Sequence, residues 1–234
     1  MICCGCYLEK KPIQMHIIPE SFFRAIKSDN DQLRIYTNVA GKYSKRSHIG
    51  VYDKEVLCAD CEKKFLAYDD YASKVLIQNE LYEEIHLKRK IGFLLKDIDY
   101  KRLKMFFMSV LWRASVSKQG FYSKVKLGEK LEKQLKNLIW NNESGSKHDF
   151  SFVLAKFDKG DVKTIFDPHP ERWDNLRYYR FYLGDYILYI KADSQKTSSE
   201  WEKFISADNT LVVVSRGTIE NSNEFKVIKS VLKF

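Results

Sequence analysis

Apolar and polar positions follow three different patterns along this chain of 234 residues. In the first stretch, Pro19-Glu20-Ser21 is a helix-start signal ahead of Phe22, Phe23 and Ile26, and Asp29, Asn30 and Asp31 break the pattern. A Tyr-, Val- and Gly-containing segment then runs to Cys58, after which Phe65, Leu66, Tyr68, Ala72, Val75 and Leu76 recur at helical spacing. Residues 81–140 read as helices. The run from 100 to 116 is apolar around Met105, Phe106, Phe107, Met108, Val110, Leu111 and Trp112. Leu127, Leu131, Leu135, Leu138 and Ile139 make a further stripe, with Lys126, Lys130 and Lys133 on its opposite face. From residue 147 the texture changes to aromatic and β-branched runs, at 150–157, 177–191 and 211–214, which predict strands. Gly184-Asp185 is placed to split the second run, while residues 224–234 fit a strand or a helix equally. The expectation is an α+β protein in three regions: 1–80, a helical 81–145, and a mainly antiparallel β region at 146–234.

Composition narrows the class. Hydrophobic residues make up 44% and charged residues 30%, as in a globular protein and unlike a disordered one. No apolar run reaches the roughly 20 residues of a membrane helix. A cysteine at position 3 argues against a preceding signal peptide, so a cytoplasmic protein with no membrane partner is expected. The net charge of +9 is concentrated: residues 86–140 hold 14 basic against 4 acidic side chains, whereas the flanking regions are close to neutral. A local basic excess is the footprint of a nucleic-acid partner, although a solvated lysine face gives the same signal. Arg89, Lys90, Lys101, Arg102, Lys104, Lys126, Lys130 and Lys133 are the candidate phosphate contacts.

The cysteines carry the most specific chemistry. Cys3-Cys4-Gly5-Cys6 and Cys58-Ala59-Asp60-Cys61 are two Cys-x2-Cys knuckles. A two-residue gap lets one tight turn aim two thiolates at one ion, and two knuckles complete a tetrahedral zinc site. Disulfides are disfavoured in a reducing compartment, a redox pair needs only one knuckle, and an iron–sulfur cluster is the main competitor. Cys3, Cys6, Cys58 and Cys61 are therefore the expected ligands of a structural zinc, with Cys4 spare.

A knuckle, then Gln14-Met15-His16-Ile17-Ile18-Pro19, then a second knuckle opening a helix resembles the HNH nuclease group of treble-clef zinc proteins. More closely, the chain is similar to a little-characterised bacterial family that joins His-Ile-Ile-Pro, Leu-Cys-x2-Cys-Glu and Leu-Trp-Arg-Ala-Ser motifs. These stand here at residues 16–19, 57–62 and 111–115. The HNH resemblance implies a metal-dependent nuclease cutting DNA, in bacterial defence or on a mobile element, with a partner ATPase. It makes His16 the general base, taking a proton from the attacking water while Mg²⁺ or Mn²⁺ stabilises phosphate charge. The departures are specific. Met15 stands where HNH nucleases carry an acidic residue, and the residues after Cys61 lack the usual Asn or His. Glu62 and Asp69, i and i+7 on one predicted helix, with Asp70 beside them, are the substitute ligands for a hard ion. Loss of that ion site with retention of zinc would leave a non-catalytic module that binds nucleic acid or a protein.

Other candidates weigh less. His48 lies before the second knuckle, within reach of the same region; His86, His148 and His169 have no spacing partners. Arg113, inside an apolar helix, is costly unless paired, and Glu62 or Asp69 are its natural partners. Ser115 and Ser117 have no neighbouring base in sequence. The aromatics Tyr178, Tyr179, Phe181, Tyr182, Tyr186 and Tyr189 suit a core better than a base-stacking platform.

Overall fold

The computed structural model describes residues 1–26, 33–36, 45–47, 50–78, 83–87, 90–157, 164–202, 204, 209–219, 222 and 224. The architecture is α+β, as the periodicity predicts. The chain opens with a short turn-rich loop and β1 (Met15–His16), followed by α1 (Glu20–Ala25), which starts where Pro19-Glu20-Ser21 signals it. Next come β2 (Leu33–Tyr36), β3 (Lys45–Ser47) and β4 (Tyr52–Asp53). β1 and β4 pair antiparallel, His16 opposite Tyr52. The long helix α2 (Ala59–Ile77) begins at the second cysteine knuckle and buries Cys61, Phe65, Ala72, Val75 and Leu76 on one face.

Residues 83–95 depart from the helical expectation. They form the hairpin of β5 (Glu83–Leu87) and β6 (Lys90–Leu95). Phe93 of β6 stands opposite Val213 of the C-terminal region, so the hairpin is an outlying part of the distant sheet. The region 81–145 is thus part strand. Non-local pairing decides the conformation here, as it often does where a short apolar run is locally ambiguous.

The predicted central helix is α3 (Tyr100–Val116), capped by Asp99, whose side chain accepts a hydrogen bond from the Arg102 backbone N–H at 3.0 Å. Every residue from Leu103 to Ser115 is buried. A helix buried all round must be covered on all sides, and α3 is the axis about which the other layers pack. A 3-10 turn (Gly120–Tyr122) leads to α4 (Glu129–Trp140). α4 starts only after Gly128, whose φ of +79° is a left-handed conformation natural to glycine. Lys126 therefore lies before the helix, in contrast to the predicted stripe.

The remaining strands are β7 (Phe152–Lys156), β8 (Thr164–Phe166), β9 (His169–Trp173), β10 (Leu176–Leu183) and β11 (Tyr186–Lys191). After them come the short helix α5 (Ser199–Glu202) and β12 (Leu211–Ser215). The main sheet has seven strands in the order β5-β6-β12-β7-β11-β10-β9. All its neighbours are antiparallel except the β12/β7 pair. β2, β3 and β8 make a separate sheet, so the N-terminal and C-terminal regions share strands. Gly184-Asp185 form the predicted turn between β10 and β11.

Side chains alternate across the sheet with the strand period of two. Phe152, Leu154, Phe181, Leu188 and Ile190 belong to the core shared with α3; Phe107 packs on Phe152 with ring centroids 4.6 Å apart. Ala155, Tyr182, Ile187 and Tyr189 point the other way, into a smaller cluster with Trp173 and Trp201. The aromatic run of β10 and β11 fills core on both faces, as expected.

Arg113 occupies the junction of the helices with β1. Its side chain is 0% exposed, and its two terminal nitrogens donate to both carboxylate oxygens of Asp69 on α2 at 2.7 and 2.8 Å. It also donates to the carbonyl of His16 at 3.3 Å and to the Ser109 carbonyl and hydroxyl, while its guanidinium lies 4.9 Å over the ring of Phe65. Removing one partner of such a pair leaves the other charge stranded, at a cost of about 3–5 kcal/mol. Arg113→Ala should lose about that much in a denaturant titration. Arg113→Met combined with Asp69→Leu should lose markedly less, because no charge is left unpaired. Equal losses in the two variants would contradict a pair that holds the elements together.

Candidate metal centre

The first ten residues fold into a knuckle closed by backbone hydrogen bonds. Cys3 N–H donates to Leu8 O at 3.0 Å, Tyr7 N–H to Cys3 O at 2.8 Å and Lys10 N–H to Met1 O at 3.0 Å. Tyr7 takes a φ of 59° to make the turn. Gly5 is required by close approach: a Cβ there would lie 2.7 Å from Cys61 Sγ and 2.8 Å from its Cβ. On the other side, Cys58 is the residue that caps the N-terminus of α2 and Cys61 lies in its first turn. The positive end of the helix dipole therefore faces the sulfurs, which favours thiolates.

The four Sγ atoms of Cys3, Cys6, Cys58 and Cys61 all lie within 4.8 Å of one another, and all five cysteines are free of disulfides. Zn–S bonds of about 2.3 Å span a tetrahedron with edges of about 3.8 Å, so a modest contraction fits the ion. Cys3 is buried, which opposes ionisation. Backbone N–H groups of Cys6, Cys58 and Gly5 outweigh that and pull its thiol down to about 6. The Cys58 N–H reaches Cys3 Sγ at 3.4 Å. Burial pushes the Cys61 thiol up, as do its hydrogen bonds to neighbouring cysteine side chains. Without a cation, several thiols in one small space cannot all ionise. A metal ion such as zinc held by the four sulfurs would supply the compensating charge and favour the thiolate form of its ligands. Cys4 stands outside the tetrad. Its carbonyl accepts a hydrogen bond from Lys136 of α4 at 2.9 Å. The Lys136 ammonium also sits 3.4 Å over the ring of Tyr7, which fastens the knuckle to α4.

Compared with known proteins, the chain matches no family model, no curated protein and no solved structure. The site is therefore read from its own chemistry.

The knuckle, the two-stranded β1/β4 pair and α2 lie at the N-terminal end of the chain, with α1, β2 and β3 between the two paired strands. His16 is on β1, half-buried, with its ring 6.0 Å from Tyr52 and 6.3 Å from Phe23. Glu62 is one turn into α2 and half-buried; burial pushes its carboxyl up, and Arg113 pulls it back. Asp69 is on the same helix, but both of its oxygens are bound by Arg113. Among the described residues, the cysteine tetrad is the one group of three or more His, Cys, Asp or Glu side chains close enough to share an ion. His16, Glu62 and Asp69 are not gathered into a second one. Asp69 is instead the ion-pair partner of Arg113. Asp70 is exposed on the next position, and His48 lies outside the described residues.

The candidate phosphate contacts separate into groups. Lys126, Lys130 and Lys133 are exposed at the start of α4, and Lys101 and Arg102 are exposed at the start of α3, where Arg102 pairs with Asp99 at 3.2 Å. The two helices run antiparallel: Ser115 near the end of α3 bonds Glu132 near the start of α4. At the opposite end, Lys104 near the start of α3 reaches Ser146, beyond the end of α4. At about 1.5 Å rise per residue, Arg102 and Ser115 are roughly 20 Å apart along α3. The two basic clusters therefore sit at opposite ends of the helix pair rather than on one stripe. Lys104 is not at the surface at all: it is 2% exposed and donates to Ser146 O at 2.7 Å. Arg89 lies outside the described residues, as does the side chain of Lys90. Asp53 was not singled out by its sequence context. It is wholly buried and accepts from the Ser117 hydroxyl at 2.7 Å and the Lys118 N–H at 3.2 Å, joining β4 to the end of α3.

Two outcomes follow. Purified protein should carry one zinc per chain by elemental analysis. Cys58→Ser should lose the metal and lower the melting temperature, because ligand binding in such sites is folding energy; metal-free wild type would contradict the tetrad. Burial lowers Lys104 from its ordinary 10.5 to about 8, with Asp149 opposing. Between those values the unfolded chain holds more protons than the folded one, so this group makes stability rise with pH across that window. Lys104→Met should abolish that part of the rise in a series of denaturant titrations from pH 7 to 10.5.

Proposed function

We propose that this protein is a zinc-stabilised nucleic-acid-binding module of HNH-like build, with the lysines at the start of α4 as its contact to phosphates. One observation carries the reading. Arg113 holds Asp69 through both carboxylate oxygens, so a helix face that could share a hard ion is spent on structure. Zinc then serves to fix the knuckle to the start of α2. The partner reading draws on the net charge of +9 and on the exposure of Lys126, Lys130 and Lys133. DNA as the target, a role in bacterial defence and a partner ATPase come from the family resemblance and belong to this proposal.

Binding to phosphates releases counterions, so affinity for a labelled duplex should fall steeply as salt is raised. Replacing Lys126, Lys130 and Lys133 together with glutamate should weaken binding at least about tenfold and flatten the salt slope. Unchanged affinity would remove this surface from the account.

A second reading, the metal-dependent nuclease, is favoured by His16 on β1, whose carbonyl shares Arg113 with Asp69 of α2, and by Glu62 half-buried one turn into α2. Its test is incubation with supercoiled plasmid and Mg²⁺ or Mn²⁺. Cleavage that disappears in His16→Ala, with zinc content intact, would establish it; an inert wild type supports the binding module.

A further inference from the structure

Among the described residues four large apolar side chains stand out in water, and three of them belong to the cysteine knuckle: Ile2, Tyr7 and Leu8, at 61, 69 and 57% exposed. Apolar side chains exposed singly are ordinary, but three on one short loop make a presented surface. The loop is held in place by its own bonds. Cys3 N–H donates to Leu8 O, Tyr7 N–H donates to Cys3 O, and Ile2 pairs with Glu9 in a short antiparallel bridge. Tyr7 itself makes the turn in the left-handed region, at a φ of 59°.

Tyr7 is also joined to the basic side of α4. Lys136 donates to the Cys4 carbonyl at 2.9 Å and places its ammonium 3.4 Å from the centre of the Tyr7 ring. A cation occupies one face of the ring, and an exposure of 69% leaves the opposite face open to solvent. Lys136 follows Lys133 by three residues and Lys130 by six, so the three side chains succeed one another on adjacent turns over about 9 Å of helix. Between residues 126 and 140, three exposed lysines (Lys126, Lys130 and Lys133) stand against one exposed acid, Glu129. Glu132 is turned to α3, where it accepts from the Ser115 hydroxyl at 3.0 Å. A basic ridge therefore ends at an open aromatic ring.

A basic track beside an aromatic face matches the chemistry of a single nucleic-acid strand: cations follow the phosphates and the ring takes a base. In a duplex each base is already covered by its neighbours, so an exposed ring finds a base to stack on only where the strand is unpaired. We propose that the knuckle binds single-stranded nucleic acid, with an unpaired base on Tyr7 and the adjoining phosphates along Lys133 and Lys130. This rests on the α4 lysines as the phosphate contact and narrows their target to an unpaired strand. The fixed knuckle lowers the ordering cost of the contact, and Ile2 and Leu8 add apolar surface on the same loop.

The test follows fluorescence anisotropy of a labelled single-stranded DNA, of the RNA of the same sequence and of the blunt DNA duplex, each titrated with the full, zinc-loaded chain. Tyr7→Asn removes the ring and suits the left-handed backbone. It should bind the single strand at least about fivefold more weakly, with duplex affinity and zinc content unchanged. Its salt slope on the single strand should match that of wild type, because no phosphate contact is lost. Tyr7→Trp should bind the single strand at least as tightly as wild type, and the fluorescence of its added indole should be quenched by the single strand and not by the duplex. Tighter binding of RNA supports the site and assigns it to RNA; tighter binding of single-stranded DNA supports it and assigns it to DNA. Single-strand affinity unchanged in Tyr7→Asn, an equal loss on single strand and duplex, or an unquenched indole in Tyr7→Trp overturns the inference while leaving the α4 lysines as a phosphate contact. Self-association that Tyr7→Asn abolishes, with single-strand affinity unchanged, overturns it in favour of a second copy of this chain as the partner. The underlying reading fails by a different sign, when glutamates at Lys126, Lys130 and Lys133 leave single-strand and duplex affinities unchanged, and that result overturns both.

Discussion

A guanidinium removed from water must find its partners inside the protein, and Arg113 finds them on three elements at once. It bonds the carboxylate of Asp69 on α2, the carbonyl of His16 on β1 and the Ser109 groups one turn back on its own helix. Burying such a pair contributes little net stability compared with an apolar substitute, but any arrangement that separates the partners is heavily penalised. The relative placement of β1, α2 and α3 is thereby constrained. Lys136 does similar work at the other end of the knuckle, bonding the Cys4 carbonyl and covering Tyr7. The four cysteines bring together a loop at the chain's start and a helix that begins at Ala59, and a metal ion held there would join the two.

Features with strong local physics were legible in the sequence. Two Cys-x2-Cys spacings point to one ion because tetrahedral thiolate coordination has few other sequence forms. A lone arginine in an apolar helix asks for a carboxylate, and Asp69 was one of two named partners. The aromatic run at 178–189 reads as core because strand alternation puts it on both faces of a covered sheet. What was not legible depends on distant partners. Residues 83–95 are charged and lack clean alternation; they become strands because β12, far downstream, supplies the pairing edge. Lys104 looks like one more member of a basic run until its place on the inner side of α3 and the Ser146 carbonyl are known. The ion-pair network around Arg180 was not legible because its members come from β9, β10, the end of β12 and residue 224, with no common motif.

The basic character of residues 86–140 likewise changes meaning in three dimensions. A charge count treats the segment as one surface, while the antiparallel α3/α4 pair distributes it to two ends and draws Lys104 inside. The exposed lysine cluster at the start of α4 is a narrower basic surface than the charge count suggests. It also lies on a helix whose other face, through Trp140 and Lys136, packs on the metal knuckle. The cysteine knuckle and the lysine cluster are thus linked by one helix.

The central claim is that one metal, bound by four thiolates, organises this region, and that Arg113 keeps Asp69 out of metal chemistry. The direct measurement is anomalous X-ray scattering at the zinc and manganese edges from crystals soaked in Mn²⁺. The account predicts a single zinc peak among Cys3, Cys6, Cys58 and Cys61, no manganese peak between His16, Glu62 and Asp69, and the Arg113–Asp69 pair intact. A manganese peak on Asp69, with Arg113 displaced from it, would contradict the account and restore the nuclease as the better reading.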